Sequence, residues 1–316
     1  MLVFRDIELV RNFPRPVVAA VGNFDGIHLG HNHLISALLE KKSAMSADVD
    51  SPGTALLITF YPHPAQVLRK ATEVPRITTF RQNFQILKQM GVDVFCLIHF
   101  TTQFSQIDAK DFIESYLVGN FGVDHLILGS DASIGRDRKG TPSQIQKHFL
   151  ELDRTSDVLE PLTQDGIKVS SRTIREFITI GDLLGAKKLL GRNYSIQGRV
   201  SHGAAKGRTI GFPTANLAVR DQVIPPSGVY VTRSTIRGSI WGSVTNVGYR
   251  PTFGGTSLEI ETYIIDYSGE DFYQEMLSVE FLERIRDEMR FDSVEQLRQQ
   301  ILNDVDAARN ILKEYP

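Results

Sequence analysis

The sequence has little of what marks a secreted or membrane protein. Its single cysteine, Cys96, lies in the apolar run Val94–Phe100, so a disulfide within the chain is impossible and a cysteine-based zinc site is not expected. No apolar stretch approaches the roughly 18 residues that a membrane-spanning helix needs. The segment 1–12 carries charges and has no small-residue cleavage site, which argues against a signal peptide. We therefore expect a cytoplasmic protein.

The sequence also has no excess of one charge. Its formal net charge is −2, which excludes a chain-wide basic field for binding nucleic acid. Hydrophobic residues make up 41% and charged residues 23%, which is typical of a globular protein. A length of 316 residues predicts two domains. We expect small-molecule substrates, no nucleic-acid or membrane partner, and a monomer or weak homo-oligomer.

In the first half of the chain, apolar runs alternate with helix-period stretches. The apolar runs predict strands at Val17–Phe24, Ala55–Phe60, Val92–Phe100 and His125–Gly129. The helix-period stretches are Leu34–Lys42, Phe80–Met90, Ala109–Leu117 and Ser143–Leu152. Continuous apolar strands that alternate with amphipathic helices are typical of a parallel sheet buried on both faces. We expect an α/β domain here.

The second half changes to a period of two, broken by glycine and proline. Predicted strands are Ser195–Ser201, Gly228–Ile236, Ser239–Val247, Leu258–Tyr267 and Met276–Leu282. This spacing favours a small antiparallel barrel of Greek-key type, followed by an amphipathic helix over Ser293–Tyr315. A helical stretch, Arg172–Leu190, interrupted by Gly181, connects the halves. We place the domain boundary between residues 186 and 187. With a parallel-sheet domain before it and a barrel domain after it, the predicted fold class is α/β plus β.

The first candidate site is the segment Ala20–His31, where the first predicted strand ends and a helix begins. Glycines at 22, 26 and 30 allow a tight turn and close approach of a ligand, and a helix N-terminus suits phosphate. His28 and His31 are three residues apart and share a helical face. They point either to phosphate binding, to a metal site with His33 or His63 as a third ligand, or to two surface histidines. The dinucleotide motif G-x-G-x-x-G is absent, and the glycine-spaced segment 135–141 lacks the P-loop lysine.

The second candidate site lies in the predicted barrel. Thr214 and Asn216 are two residues apart, so on a strand they project to one face, and their hydroxyl and amide oxygens suit Mg²⁺. Glu261 lies in an alternating strand with Glu259 on the same face. Either carboxylate could act as a general base towards a substrate hydroxyl. The alternative without a function is that Thr214 and Asn216 are an ordinary pair at the start of a strand and that the glutamates are exposed charged residues on a strand.

Several motifs resemble a known family. His28-Leu-Gly-His31 resembles the nucleotidyltransferase superfamily signature, and Gly211-Phe-Pro-Thr-Ala-Asn216 resembles that of riboflavin kinases. The resemblance continues through further segments in the same order: Thr59–Pro64, Gly129–Asp131 with Gly135–Gly140, Val169–Arg175 and Asn246–Phe253. Nearly the whole chain resembles the prokaryotic bifunctional riboflavin kinase/FAD synthetase family. The resemblance implies a Rossmann-like nucleotidyltransferase domain over 1–186 and a riboflavin kinase barrel over 187–316.

For the first domain, the resemblance implies adenylyl transfer from ATP to FMN, giving FAD and pyrophosphate. His28 and His31 would bind the ATP phosphates and stabilise the transition state. Asn23 and Asp25 would shape the turn, with Gly22 and Gly30. The other residues that the resemblance assigns to ligand binding are Asp131, Arg138, Ser170, Ser171 and Arg175.

For the second domain, the resemblance implies phosphorylation of riboflavin to FMN. Thr214 and Asn216 would hold Mg–ATP, and Glu261 would deprotonate the terminal hydroxyl of the ribityl chain. The remaining residues assigned to ATP or flavin are Gly203, Gly207, Arg208, Gly211, Pro213, Arg286 and Phe291.

The chain departs from the family in several places: Leu29 replaces a commonly basic residue, Arg172-Thr173 reverses a common order, and one loop differs in composition. The family loop usually carries two aromatic residues, and this chain has Ala132 and Ile134 in their places. The alternative hypothesis is therefore a riboflavin kinase with weak or lost adenylyltransferase activity. A hypothesis of another class is a flavin- or nucleotide-binding sensor without turnover.

Overall fold

We describe a computed structural model of the chain. The structure describes residues 1–5, 12–47, 49–68, 74–201, 207, 210–252 and 255–315. The chain divides into two compact units, 1–171 and 172–316. The boundary between residues 186 and 187 stays a prediction.

The first unit is built on a six-stranded parallel sheet. Its strands are β1 (Leu2–Phe4), β2 (Val17–Val21), β3 (Thr54–Tyr61), β4 (Val94–His99), β5 (His125–Gly129) and β6 (Thr155–Leu159). The strand order is β1-β4-β3-β2-β5-β6, and every neighbouring pair is parallel. This confirms the α/β prediction and adds β1 and β6 to it.

Helices connect these strands, and a small hairpin follows the sheet. The helices are α1 (Leu29–Ser46), α2 (Pro64–Leu68), α3 (Phe80–Met90), α4 (Ala109–Asp111, continued as a π-helix over Phe112–Asn120) and α5 (Pro142–Glu151). In the hairpin, β7 (Thr163–Gln164) pairs with β8 (Ile167–Lys168). The sheet is covered on both faces: Val17 and Ala19 pack in one apolar cluster, whereas Val18 and Ala20 pack in the other. Burial on both faces explains why β2 reads as a continuous apolar run.

The strand order reverses between β2 and β5. From β2 the chain proceeds to β3 and β4 on one side, and it then crosses to β5 on the other side of β2. In open α/β sheets, ligands bind outside the carboxyl ends of the strands at this reversal. The segments that follow Val21 and Gly129 are therefore the place to look for a ligand site.

The second unit is a closed barrel with helices. Two helices, α6 (Ser171–Ile180) and α7 (Leu183–Leu190), are separated at Gly181 as the sequence predicts. The strands are β9 (Ser195–Ser201), β10 (Thr214–Ala218), β11 (Gly228–Ile236), β12 (Ser239–Thr252), β13 (Gly255–Ile264) and β14 (Met276–Arg286). They close in the order β10-β13-β12-β11-β14-β9. Because β14 returns to lie beside β11, the order β14-β11-β12-β13 is a Greek key, as predicted.

The terminal helix, α8 (Val294–Leu312), lies on the outside of this barrel. Ser293 is its N-cap and accepts a hydrogen bond from the Gln296 N–H. Its buried Val305 and Ala308 pack in one cluster with Val229 and Val231 of β11. Within the described ranges, no helix is long and apolar enough to cross a membrane.

Candidate functional site

The first candidate site is the turn between β2 and α1. Its backbone is left-handed at Phe24 (φ 43°), Gly26 (φ 92°) and Ile27 (φ 37°). Glycine adopts this conformation freely, whereas each non-glycine residue there costs about 1–2 kcal/mol. Both Phe24 and Ile27 are fully buried among apolar side chains. Their burial offsets part of the cost, and the surrounding structure must supply the rest.

Asp25 anchors this turn from within. Its buried carboxylate accepts hydrogen bonds from the Ile77 N–H at 3.0 Å and from the Thr78 N–H at 3.3 Å. The Asp25 carbonyl accepts a hydrogen bond from the Ser171 hydroxyl at 2.9 Å, at the start of α6. In this structure, Asp25 and Ser171 therefore hold the backbone of the turn. A direct contact of either side chain with a phosphate stays a prediction.

The two histidines stack on each other at the start of α1. His28 is the N-cap residue, and its Nδ1 accepts a hydrogen bond from the His31 N–H at 3.2 Å. The ring centroids are 3.7 Å apart, with an angle of 12° between the rings. Because Nδ1 of His28 accepts, the proton of the neutral ring lies on Nε2, which makes Nε2 a donor. A hydrogen-bond donor beside the positive end of a helix dipole is an arrangement suited to phosphate.

Gly30 makes room for the His28 ring. A Cβ atom at Gly30 would lie 3.2 Å from both Cε1 and Nδ1 of His28 and 3.6 Å from the Val169 carbonyl oxygen. The role of this glycine in the structure is thus close packing of the imidazole. Gly22 and Asn23 form the start of the turn, where the Gly22 N–H donates to the Ile58 carbonyl at 3.0 Å.

The structure gives no support, within its described residues, to a metal centre formed by His28 and His31 with a third ligand. Among the residues that the structure describes, no group of three or more His, Cys, Asp or Glu side chains could hold a metal ion. His33 is exposed on α1. The Nδ1 of His63 accepts a hydrogen bond from the Ala65 N–H at 3.1 Å, which places His63 as a cap for α2.

The other phosphate candidates of this unit follow β5. Asp131 lies just beyond the strand and pairs with Lys168 at 2.7 Å. Arg138 is exposed, and its Nε donates to the Ser133 hydroxyl at 2.6 Å. Asp131 thus lies close to the end of β5, where the strand order reverses, and Arg138 lies further along the loop that follows. Arg175 is placed one turn into α6, in the second unit, and Ser170 directly precedes that helix.

The two unusual residues of this loop differ in their surroundings. Ile134 is buried in the sheet's apolar cluster, and its backbone pairs with Gly140. Ala132 is half-buried and packs against the same cluster. At Ile134 the change from aromatic to aliphatic is therefore a change in core packing, whereas Ala132 lies at the edge of that core.

The second candidate site is assembled by strand register on the outer face of the barrel. Asn216 of β10 pairs directly with Glu261 of β13, and Thr214 pairs with Tyr263. Thr214 and Asn216 are half-buried on this face, whereas Ala215 is buried on the other. Directly opposed residues on antiparallel strands have Cβ atoms about 4.5–5.5 Å apart. The predicted hydroxyl, amide and carboxylate therefore lie together.

A residue that sequence reasoning missed completes this row. Asn246 of β12 pairs with Glu261 from the other side, so the carboxylate lies between two asparagine side chains. Glu259 pairs instead with Gly248, one position along the same face. This environment distinguishes Glu261 from Glu259. Asn246 begins one of the family-like segments, but only strand pairing reveals that it faces Glu261.

The donor set of this row fits Mg²⁺. The ion prefers oxygen ligands and is usually held by one or two protein groups together with substrate phosphates. Thr214, Asn216 and Glu261 offer a hydroxyl, an amide carbonyl and a carboxylate. A Cβ atom built at Gly207 would lie 3.3 Å from the Thr214 hydroxyl oxygen, so the glycine backbone borders the same place.

The remaining barrel candidates lie outside this row in the sequence. Gly211 (φ 86°) and Pro213 lead directly into β10, and Gly203 and Arg208 lie outside the described residues. The guanidinium of Arg286 forms a two-pronged ion pair with the buried Asp304 of α8, at 2.7 and 3.0 Å.

This ion pair ties the end of β14 to α8. The Phe291 ring lies 6.0 Å from the Arg286 guanidinium, so both predicted flavin residues belong to one local cluster. Their contact with flavin stays a prediction.

Comparison with known proteins identifies both halves. A family model described as FAD synthetase matches residues 10–173, and one described as riboflavin kinase matches residues 190–312. A bifunctional riboflavin kinase/FMN adenylyltransferase of Bacillus subtilis (strain 168) is 34% identical over 94% of this chain and 93% of its own. The enzyme of the same name from Pseudomonas fluorescens is 34% identical over 98% of this chain and 97% of its own.

A crystal structure supports the same fold. It is described as a macrolide-efflux protein from Streptococcus pneumoniae, is 31% identical, covers 98% of both chains and superposes with a TM-score of 0.86. The family models and the relatives from Bacillus and Pseudomonas agree on flavin enzymes. From these matches along nearly its whole length, the chain belongs to the bifunctional riboflavin kinase/FMN adenylyltransferase family.

Proposed function

We propose that this chain makes FAD from riboflavin in two ATP-dependent steps, one at each candidate site. Riboflavin and ATP give FMN and ADP at the barrel, and FMN and a second ATP give FAD and pyrophosphate at the α/β unit. The observation that carries the proposal is the presence of two separate phosphate-compatible constellations within one family-typical chain. One is the stacked pair of His28 and His31, and the other is the row Asn216–Glu261–Asn246.

In the kinase step, Glu261 accepts the proton of the terminal ribityl hydroxyl. The hydroxyl oxygen forms a bond to the γ-phosphorus of ATP while the bond from that phosphorus to the β–γ bridging oxygen breaks, and ADP leaves. Thr214 and Asn216 would hold Mg²⁺, which when bound neutralises charge on the transferred phosphate. The supports are the strand pairing of Asn216 with Glu261 and the oxygen chemistry of these side chains.

In the adenylyl step, an FMN phosphate oxygen forms a bond to the α-phosphorus of ATP while the bond from that phosphorus to the α–β bridging oxygen breaks, and pyrophosphate leaves. This reaction needs no nucleophilic side chain, because positioning and charge stabilisation supply most of the catalysis. His28, through Nε2, and His31 donate hydrogen bonds to phosphate oxygens in front of α1. Arg138 and Arg175 are proposed to bind the polyphosphate.

The test is a product assay on the whole chain. The protein is incubated with riboflavin, Mg²⁺ and ATP, and the flavins are separated by chromatography. We expect FMN first and FAD later. FMN without FAD would support the kinase-only alternative, and flavin binding without either product would support the sensor alternative.

Two observations favour the bifunctional enzyme over these alternatives. Of the two residues that motivate the kinase-only hypothesis, Ile134 is buried in the core of the first unit and Ala132 is half-buried against that core. Glu261 pairs with Asn216 and Asn246 across neighbouring strands, which supports a role for its carboxylate as a general base, a role that a binding-only protein does not need. A cytoplasmic location, a monomeric or weakly oligomeric state and the absence of nucleic-acid partners remain part of the proposal.

A further inference from the structure

A chain of buried hydrogen bonds lies behind the first candidate site. The Gly26 N–H donates to the Thr78 hydroxyl at 2.9 Å. That hydroxyl donates to Oδ1 of Asn83 at 2.6 Å, and Nδ2 of Asn83 donates to the Phe24 carbonyl at 2.8 Å. Thr78 is 4% exposed and Asn83 7%. The two side chains thus connect one backbone group of the turn with another.

The direction of each hydrogen bond is fixed by the backbone groups at its ends. An N–H can only donate and a carbonyl can only accept, so the hydroxyl must receive from Gly26 and pass its proton towards Asn83. The amide of Asn83 is then oriented with its NH₂ towards Phe24. The two ends, Phe24 and Gly26, are both left-handed residues. The network therefore binds that part of the turn whose conformation is unfavourable by itself.

The helix start behind this network is held by several contacts. Thr79 is the N-cap of α3 and forms a capping box with Gln82, so the first turn of the helix that carries Asn83 is fixed. The Phe80 and Phe95 rings stack with centroids 5.7 Å apart, which attaches the helix start to β4. Leu87 is fully buried against the sheet. Because the start of α3 is fixed in this way, the Asn83 side chain holds the Phe24 carbonyl in one position.

We propose that Thr78 and Asn83 are positioning residues for adenylyl transfer. They hold residues 24–27 in the conformation that aims His28 and His31 at the ATP phosphates, and they do not themselves contact substrate. The inference rests on the proposed function of the histidine pair. Formation of FAD by the unaltered chain tests that function first, and the variants below test the inference separately.

The experiment compares two isosteric substitutions, Thr78→Val and Thr54→Val. Thr54 is also buried, and its hydroxyl donates to the Pro14 carbonyl at 2.7 Å, but it lies at the opposite, amino-terminal end of β3. Each change removes a buried hydroxyl from the same unit. The rate of FAD formation from FMN and ATP is measured below the unfolding temperature, and riboflavin phosphorylation by the same sample reports the amount of folded barrel.

For Thr78→Val we expect kcat for adenylyl transfer to fall at least about tenfold, with KM for FMN changed by less than about threefold, since the loss concerns transition-state geometry. Thr54→Val should keep kcat within about twofold, although both changes lower the unfolding temperature. Thr78→Ser, which keeps the hydroxyl, should restore most of the rate.

A second variant keeps the proposal testable if Thr78→Val does not fold. Asn83→Asp retains the acceptor for the Thr78 hydroxyl but places an oxygen against the Phe24 carbonyl, so we expect the same fall in kcat. Unchanged kcat in either folded variant would overturn the proposal. An equal loss in Thr54→Val would also overturn it, because the effect would then be one of general stability.

Discussion

The two candidate sites are built in opposite ways. The histidine site is contiguous in sequence, but its backbone is left-handed at three of four consecutive residues and is held by groups more than fifty positions away. The Glu261 site joins the consecutive strands β12 and β13 with the more distant β10, and these strands pair in simple antiparallel register there. A compact motif can therefore depend on distant support, whereas a dispersed site needs only correct strand pairing.

The largest effect is expected for Glu261→Gln. Removal of a general base should lower riboflavin phosphorylation by about 10²–10⁴-fold, while FAD formation from supplied FMN stays unchanged. Glu259→Gln is the matched control, because it removes the neighbouring carboxylate on the same face and should leave the rate within about threefold. A parallel fall in FAD formation from FMN would show that the two sites are not independent.

The converse change is His28→Ala. Loss of one donor to the transition-state phosphate should slow FAD formation by about 10²–10³-fold. Riboflavin phosphorylation by the same sample should be unaffected. His33→Ala, on an exposed position of α1, serves as the control. Equal rates for His28→Ala and the parent would remove the histidine pair from the mechanism.

Within the barrel, substitution of the two asparagines that flank Glu261 should have different effects on the Mg²⁺ dependence of the kinase rate. Asn216→Ala should lower FMN formation by at least about tenfold and raise the Mg²⁺ concentration needed for half-maximal rate, because a metal ligand is lost. Asn246→Ala should lower kcat by a smaller factor with unchanged Mg²⁺ dependence. The measurement is a magnesium titration of the kinase rate. Identical titration curves for both variants would contradict the assignment of Asn216 as a ligand.

The smallest expected effect concerns the stability of the two units in acid. Burial of His125 lowers the pKa of its imidazole, and the charge of Lys41 lowers it further. Because the folded unit resists protonation, its stability is complete above the usual histidine pKa of about 6.5 and decreases as pH falls from there towards the lowered value.

His125→Asn should flatten this dependence in the first unit alone. The fluorescence of the single tryptophan, Trp241, reports the barrel, and far-ultraviolet circular dichroism reports both units. Thermal unfolding between pH 7 and pH 5 therefore distinguishes them. The same pH slope in variant and parent would assign the acid sensitivity to other groups.

Much of the fold follows from the sequence because burial on two faces produces long apolar runs. β5 begins and ends at the predicted residues, and the split between α6 and α7 lies at the predicted glycine. β6 was not predicted, because Thr155, Ser156 and Asp157 interrupt any apolar pattern. The π-helix over Phe112–Asn120 has the apolar content of an α-helix, and sequence period alone does not distinguish the two hydrogen-bond patterns.

The candidate sites were predictable to the extent that their residues lie in compact motifs. Such motifs make the two histidines, Thr214 and Asn216 candidates, and their roles stay predictions. Asn246 faces Glu261 only through the pairing of β12 with β13. The contacts of Thr78 and Asn83 with the turn span 52 and 59 residues along the chain. Such contacts depend on tertiary packing and leave no local pattern.

The closure of the barrel has a consequence for association between chains. Each of the strands β9–β14 is hydrogen-bonded to a neighbour on both sides, so among the described residues of the barrel no strand is left unpaired for a second molecule. The parallel sheet, in contrast, ends in β1 and β6. The first has three residues, and the second carries the half-exposed charge of Asp157 at its centre. Short or charged outer strands resist aggregation, so the six-stranded sheet and the barrel are protected by different means.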